Sequence, residues 1–310
     1  MQNPRPQVPP AFAIGVAIVA ASSASILIRY AQAEASSLVI AAYRLAIATL
    51  ILAPVVVLRA RRELSGLTPR NIRLTMLAGG FLALHFASWI RSLEFTSVAS
   101  SIVLVQTAPL MVAALSPLMI REPILRRLLI GLLVATAGSL LVGVSDACLG
   151  TSCAAAPEIL SGTALKGDLL ALGGAAAGAG YILTGRVVRQ QVSLIPYIGI
   201  AYATAAGLLG LATWAAGERA VGFSPSIYIW LVLLAVLPQL IAHSTYNWAL
   251  GYLPAAVVSL GLLGEAVGST LLAIGLLHEV PSTLRIAGGG LILVGIALGA
   301  VSARRATLAS

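Results

Sequence analysis

A chain of 310 residues with 59% hydrophobic and only 9% charged side chains is not a soluble globular protein, because soluble domains carry about 25% charged residues. The net charge of +9 is no sign of nucleic-acid binding, since the arginines stand in short clusters between apolar runs, as membrane-topology signals do. Those runs are too long for barrel strands and lack strict alternation, so the chain reads as an all-α membrane protein.

The first apolar run follows "MQNPRPQVPP" and passes into polar residues without a cleavage site, so it reads as a retained helix. Ten transmembrane helices are predicted, near 11–30, 38–58, 72–92, 97–120, 125–144, 167–187, 194–216, 226–248, 254–277 and 284–303. Each has about 20 residues, enough for ~30 Å of hydrocarbon. With the N-terminus cytoplasmic, the inner side receives Arg5, Arg59, Arg61, Arg62, Arg70, Arg73, Arg121, Arg126, Arg127, Arg186, Arg189, Arg304 and Arg305. The other basic residues, Arg29, Arg44, Arg91, Lys166, Arg219 and Arg285, fall at outer ends or outer loops. This bias places both termini in the cytoplasm. The longest connection, 145–166, is then periplasmic and holds the only cysteines, Cys148 and Cys153. An oxidising periplasm would allow a disulfide there, with two separate thiols as the plainer alternative. Neither cysteine has a histidine neighbour, so no metal and no cofactor is expected.

The chain repeats itself. "EPILRRLLIGLLVATAGSLLVG" (122–143) aligns with "EVPSTLRIAGGGLILVGIALGA" (279–300), so that Glu122, Gly131 and Gly138 match Glu279, Gly288 and Gly295 at a spacing of 157. Arg29 and Arg186 keep that spacing, while His85 and His243 stand 158 apart. Residues 1–144 form a first five-helix repeat and 167–310 a second, joined by 145–166. An odd number of spans inverts the second copy, which is a device of secondary transporters.

Three stretches carry a resemblance. "SLEFTSVASSIVLVQTAPLMVAALSPLMIREP" (92–123), "YNWALGYLPAAVVSLGLLGEAVGSTLLAIGLLHEVP" (246–281) and the five-plus-five organisation resemble the EamA-type drug/metabolite transporter superfamily. Within it the chain looks most like the YddG-type exporters of aromatic amino acids. The resemblance implies an inner-membrane carrier without ATP-binding machinery, exporting small amphiphilic metabolites. A drug or toxic-cation exporter of the same fold is the alternative. One position departs from the pattern: Glu265 is followed by Ala266 where the family often has proline. A proline kink is expected near Pro109, while its counterpart near 265 loses its proline rationale.

Helical spacing sorts the polar residues. Phe81, His85, Ser88, Trp89 and Ser92 share one face of the third span. Gln239, His243, Tyr246 and Asn247 share one face of the eighth, and Gly174, Gly178, Tyr181 and Thr184 one face of the sixth. Intramembrane polar groups usually face the protein interior or a wet cavity. His85, Trp89, Gln106, Tyr181, Tyr246 and Asn247 are therefore candidate substrate contacts. Glu265, His243 and Ser88 are candidate gate or coupling groups. Each has a plainer rival: histidines bridging helices, aromatics in an interfacial belt, Glu265 as a helix linker. Inversion sets His85 in the outer half and His243 in the inner half, in separate layers. Glu122 and Glu279 read as hairpin caps, and the glycine stripes as close-packing surfaces.

An enzyme is not expected, because neither His-Glu-x-x-His nor Gly-x-Ser-x-Gly occurs and no paired aspartates face one another. An intramembrane lipid-modifying enzyme, or a receptor or scaffold, is the competing class. The expected partners are a small-molecule substrate and the lipid bilayer, and a monomer is compatible with this reading.

Overall fold

A computed structural model describes residues 6, 8–96, 98–147, 162–277 and 281–308. Cys148, Cys153 and Glu279 lie outside the described residues, and with them the disulfide and one of the two hairpin caps. Among the described residues there is no strand. The helices are α1 (Pro10–Ala21), α2 (Ala24–Ala31), α3 (Ser37–Val55), α4 (Arg61–Ser65), α5 (Pro69–Ser92), α6 (Val98–Val105), α7 (Ala108–Met119), α8 (Arg126–Ala147), α9 (Gly162–Arg189), α10 (Leu194–Ala215), α11 (Pro225–Leu234), α12 (Ser244–Ala249), α13 (Ala255–Leu262), α14 (Glu265–Leu277) and α15 (Thr283–Leu308). Two π-helical segments, Val56–Ala60 and Ala235–His243, join α3 to α4 and α11 to α12.

Among the described residues eight helical stretches are long and apolar enough to cross a bilayer: Pro10–Ala31, Ser37–Ser65, Pro69–Ser92, Ser100–Met119, Arg126–Gly143, Leu194–Ala215, Pro225–Ala249 and Ala255–Leu272. A shorter apolar stretch, Thr283–Gly299, lies within α15. Large apolar side chains such as Leu58, Leu118 and Trp214 stand 82%, 79% and 79% exposed. Such surface is a liability in water and the natural face toward lipid.

Several spans are interrupted, each for a local reason. Between α1 and α2 the Ser22 and Ser23 hydroxyls donate to the carbonyls of Ile18 and Ala20 at 2.6 and 2.8 Å, a bonding that bends helices. Between α6 and α7, Pro109 has no N–H to offer the preceding turn, and the break falls at Gln106–Thr107. Between α13 and α14 the break falls at Leu263–Gly264, 157 positions further on. There Gly264 N–H donates to Gly261 O at 3.0 Å and Leu263 N–H to Leu260 O at 3.2 Å, tight turns that glycines permit. The second copy is thus broken at the matching place although Ala266 replaces proline.

The chain forms two compact units, Met1–Ala87 with Gly180–Tyr252, and Ser88–Ala179 with Leu253–Ser310. Each draws on both halves of the sequence.

In the first unit α3 lies along α10, α1 against the π segment 235–243, and α2 against α11. Close approaches mark the contacts. A Cβ on Gly79 would stand 2.5 Å from the Ala201 carbonyl oxygen, and one on Gly180 2.9 Å from the Phe81 ring. Carboxylates of the first half cap helices of the second. Glu63 accepts from the N–H (2.8 Å) and hydroxyl of Ser193, the residue before α10. Glu34 accepts from Ser224 N–H at 2.9 Å, before α11. Hydrogen bonding from Ser224, with the Arg219 charge adding to it, holds the exposed Glu34 carboxyl below its ordinary range. This tie is complete above the ordinary carboxylate pKa and is lost as pH falls through the lowered folded value. Glu34→Gln is therefore expected to flatten the acid limb of the melting-temperature curve below about pH 5; an acid limb identical to wild type would refute the assignment.

In the second unit α8 and α15 pack along each other, α6 lies on α8, and α13 on both α7 and α15. A Cβ on Gly131 would stand 2.6 Å from Gly295 O, and one on Gly138 2.5 Å from Gly288 O. The helices are therefore antiparallel. Moving each residue to its counterpart 157 positions away turns the first contact into the second, which is the signature of a two-fold exchange of the two copies. Glu122 accepts from Ala255 N–H at 3.0 Å and so caps α13. Asp168 accepts from the hydroxyls of Thr96 (2.8 Å) and Ser100 (2.7 Å) at the start of α6.

Candidate functional site

A buried polar cluster lies in the first unit. Arg44 sits inside α3 at 1% exposure. Its Nε donates to Gln239 Oε1 at 2.8 Å, and its guanidinium carbon lies 4.2 Å from the Phe86 ring centre. A desolvated cation–π contact contributes about 2 kcal/mol and a hydrogen bond to a charged group about 1.5–3 kcal/mol. Together they offset part of the several-kcal/mol cost of burying the charge. Counting Arg44 among outer-end arginines is thus corrected: it is an interior residue of its helix.

Pro238 explains why Gln239 is available. It lies within the π segment 235–243, where i→i+5 bonding widens the turn. The Gln239 carbonyl there accepts from Tyr202 OH at 3.4 Å. Tyr202 OH also lies 3.2 Å from Ser244 Oγ. Asn247 Nδ2 donates to Tyr181 OH at 2.6 Å and to His243 O at 2.7 Å, with Tyr202 OH at 3.5 Å. Arg44, Gln239, Tyr202, Ser244, Asn247 and Tyr181 therefore form one continuous network, with Tyr202 and Gln239 fully buried.

Aromatic rings surround it. His85 and His243 each pack on Phe86, at 5.0 and 5.5 Å between centroids. His243 also lies 6.4 Å from the Tyr181 ring and 6.5 Å, edge-on, from Tyr246. Two histidines expected in separate layers thus share one phenylalanine. The most buried stripe of α5 runs through Thr75, Ala78, Leu82, Phe86 and Ile90, one position beyond the predicted polar face of Phe81, His85 and Trp89, which is half-buried.

Of the sequence candidates, His85, Tyr181, His243, Tyr246 and Asn247 come together here. Ser88, Trp89, Gln106 and Glu265 belong to the second unit. There Ser88 is buried and Trp89 half-buried, with Ser92 Oγ donating to the Trp89 carbonyl at 2.7 Å. Gln106 sits at the α6–α7 break, its N–H donating to Ile102 O at 3.0 Å. Its buried Oε1 has no hydrogen-bond partner among the described residues. Glu265 opens α14 just past the matching break, where a negative charge at a helix N-terminus is favourable.

Arg44, Phe86 and Tyr202 escaped the sequence reading, and Gln239 was placed on its face without a role. For Arg44 a signal existed: it is the sole charge in the 19-residue helix "SLVIAAYRLAIATLILAPV". Phe86 had none, since an aromatic in an apolar helix is ordinary. Arg189, read as a topology charge, is also buried: its Nε donates to Asn247 O at 3.0 Å and its Nη1 to Val192 O. Arg186 Nη1 donates to Leu250 O at 2.7 Å, so both satisfy carbonyls at the end of α12. Among the described residues no group of three or more His, Cys, Asp or Glu could hold a metal ion.

Multiple apolar spans, two copies related by exchange and a buried polar-aromatic cluster define a membrane transporter built from two repeats. A sequence model of the EamA-like transporter family matches residues 9–144 and again 165–300, and the chain belongs to that family. A solved structure described only as "Crystal structure of protein" superposes with a TM-score of 0.75 at 20% identity, covering 95% of this chain and 98% of that one. At that identity the likeness is one of fold. No curated protein matches the chain significantly.

Proposed function

We propose that the protein is a YddG-type secondary transporter of a bacterial inner membrane, exporting small amphiphilic metabolites, chiefly aromatic and other apolar amino acids. The observation that carries this reading is the cluster in which Phe86, Tyr181, His243 and Tyr246 surround polar groups of Arg44, Gln239 and Asn247. Flat apolar walls beside buried polar groups suit a cargo that is itself polar at one end and apolar at the other. A buried arginine is unfavourable for a cationic cargo, which weighs against the drug-cation alternative. On this reading α9, uncharged between Asp168 and Arg186, and α15 complete ten membrane crossings, with both termini cytoplasmic and 145–166 as the periplasmic link between repeats. The two-fold glycine contact of α8 and α15 supports alternating access, in which the two copies exchange conformations. His85 serves as a further cargo contact, and Trp89 and Gln106 of the second unit are proposed as cargo contacts in their own right. Ser88 and His243 act as gate groups, Glu265 as the coupling group, and the unit of transport is one chain.

Counterflow in liposomes holding the purified protein tests this. Vesicles loaded with tryptophan, phenylalanine or threonine are expected to accumulate the labelled amino acid. A pH gradient should drive uphill flux in wild type and not in Glu265→Gln. Movement of other metabolites with no amino acid moving would overturn the substrate class.

A further inference from the structure

We infer that the Arg44 guanidinium and the Gln239 side-chain amide are the anion-recognition point of the transport site, taking the carboxylate of the cargo. This rests on the transport reading above and names the chemistry of its polar end. Both groups present hydrogen-bond donors at one place. Gln239 Oε1 accepts from Arg44 Nε at 2.8 Å, which fixes the amide's orientation and turns Nε2 away as a donor. That Nε2 is fully buried and has no acceptor among the described residues. A buried unmet donor costs about 1–3 kcal/mol, and such groups persist where a ligand supplies the acceptor. A carboxylate there would accept charge-assisted bonds from the guanidinium and a further bond from the amide.

The backbone adds a second, independent observation. Gln239 follows Pro238 inside a nine-residue π segment, and π turns within α-helices recur at functional sites. His243 ends the same segment and carries its ring to Phe86. One widened stretch of helix thus holds the amide for a carboxylate and a ring for the cargo's apolar body. The cargo this describes is an aromatic or apolar carboxylic acid, with or without an α-amino group.

Thermal stabilisation of the purified full-length protein by 3-phenylpropanoate, which has the carboxylate without the amine, is compared with that by 2-phenylethylamine, which has the reverse. Wild type is expected to be stabilised by the acid and at least tenfold less sensitively by the amine. Gln239→Glu supplies the cluster with its own carboxylate beside Arg44. It should melt at or above the wild-type temperature yet need at least tenfold more phenylpropanoate for the same shift. Arg44→Lys, which keeps the charge and loses the planar fork, should weaken phenylalanine half-saturation in counterflow by tenfold or more and leave competition by phenylalaninamide unchanged. Retention of wild-type preference for the acid in a stably folded Gln239→Glu protein would overturn the inference while leaving amino-acid transport standing. Absence of any amino-acid flux in wild type, with the acid preference present and lost in Gln239→Glu, would overturn the transport reading and keep the anion site.

Discussion

Gly138→Leu and Gly295→Leu are each expected to abolish recovery of monodisperse protein, while Gly173→Ala and Gly290→Ala leave it intact. At Gly138 a Cβ would stand 2.5 Å from Gly288 O and 2.8 Å from Ile292 N. At Gly295 it would meet Gly131 O and stand 2.7 Å from both Ala135 N and Ala135 Cβ. These obstacles are mostly backbone, so no side chain can rotate aside, and the two helices must separate along the contact that builds the second unit. Overpacking a tight core costs about 1–3 kcal/mol per site, and a leucine between two backbones belongs at or beyond the upper end. Between transmembrane helices, where lipid is as apolar as the side chains, close packing is itself a main source of association. A Cβ on Gly173 or Gly290 meets nothing within 4 Å, so alanine there gains about 0.5–1 kcal/mol of helix propensity. Size-exclusion profiles and melting temperatures of the four variants provide the check. Equal behaviour of the two pairs would refute the close approach.

Asn247→Leu is expected to lower flux at least tenfold with a smaller loss of stability. Its Nδ2 is the donor that ties Tyr181, Tyr202 and the His243 carbonyl together. Leucine keeps the volume and removes all three bonds, leaving the Tyr181 hydroxyl buried beside an apolar side chain. Intramembrane hydrogen bonds average about 0.6 kcal/mol and reach about 1.7, so the fold should survive. The Tyr181 and His243 rings lose their fixed placement, and a misplaced binding group costs about a hundredfold in a well-ordered site. A double-mutant cycle with Tyr181→Phe should give a coupling near 1 kcal/mol in melting experiments. Additive effects of the two substitutions would break the proposed network, and unimpaired flux in Asn247→Leu would reduce it to scaffolding.

The membrane class, eight of the apolar spans and the duplication were legible because hydropathy is a local property and a repeat is a one-dimensional one. Helical spacing also set His243, Tyr246 and Asn247 on one face, and the structure brings them into contact. It failed where the helix departs from its regular period. The π segment around Pro238 changes which residues stack, and the serine- and glycine-based breaks carry no proline to announce them. The break at Leu263–Gly264 shows this: the residue pattern lost its proline, yet the backbone kept the turn by means of Gly261 and Gly264.

By itself, then, the sequence determined that this chain lies in lipid, consists of helices and contains the same plan twice. Burial of long uncharged runs and the spacing of 157 leave no other economical solution. Only the tertiary structure decided which copies touch. It paired Gly131 with Gly295 and Gly138 with Gly288, gathered residues of both halves into each compact unit, and turned Arg44 inward to Gln239 and Phe86. Such contacts join residues as far as 195 positions apart, and they depend on helix register, tilt and local π turns. No short window of sequence carries that information.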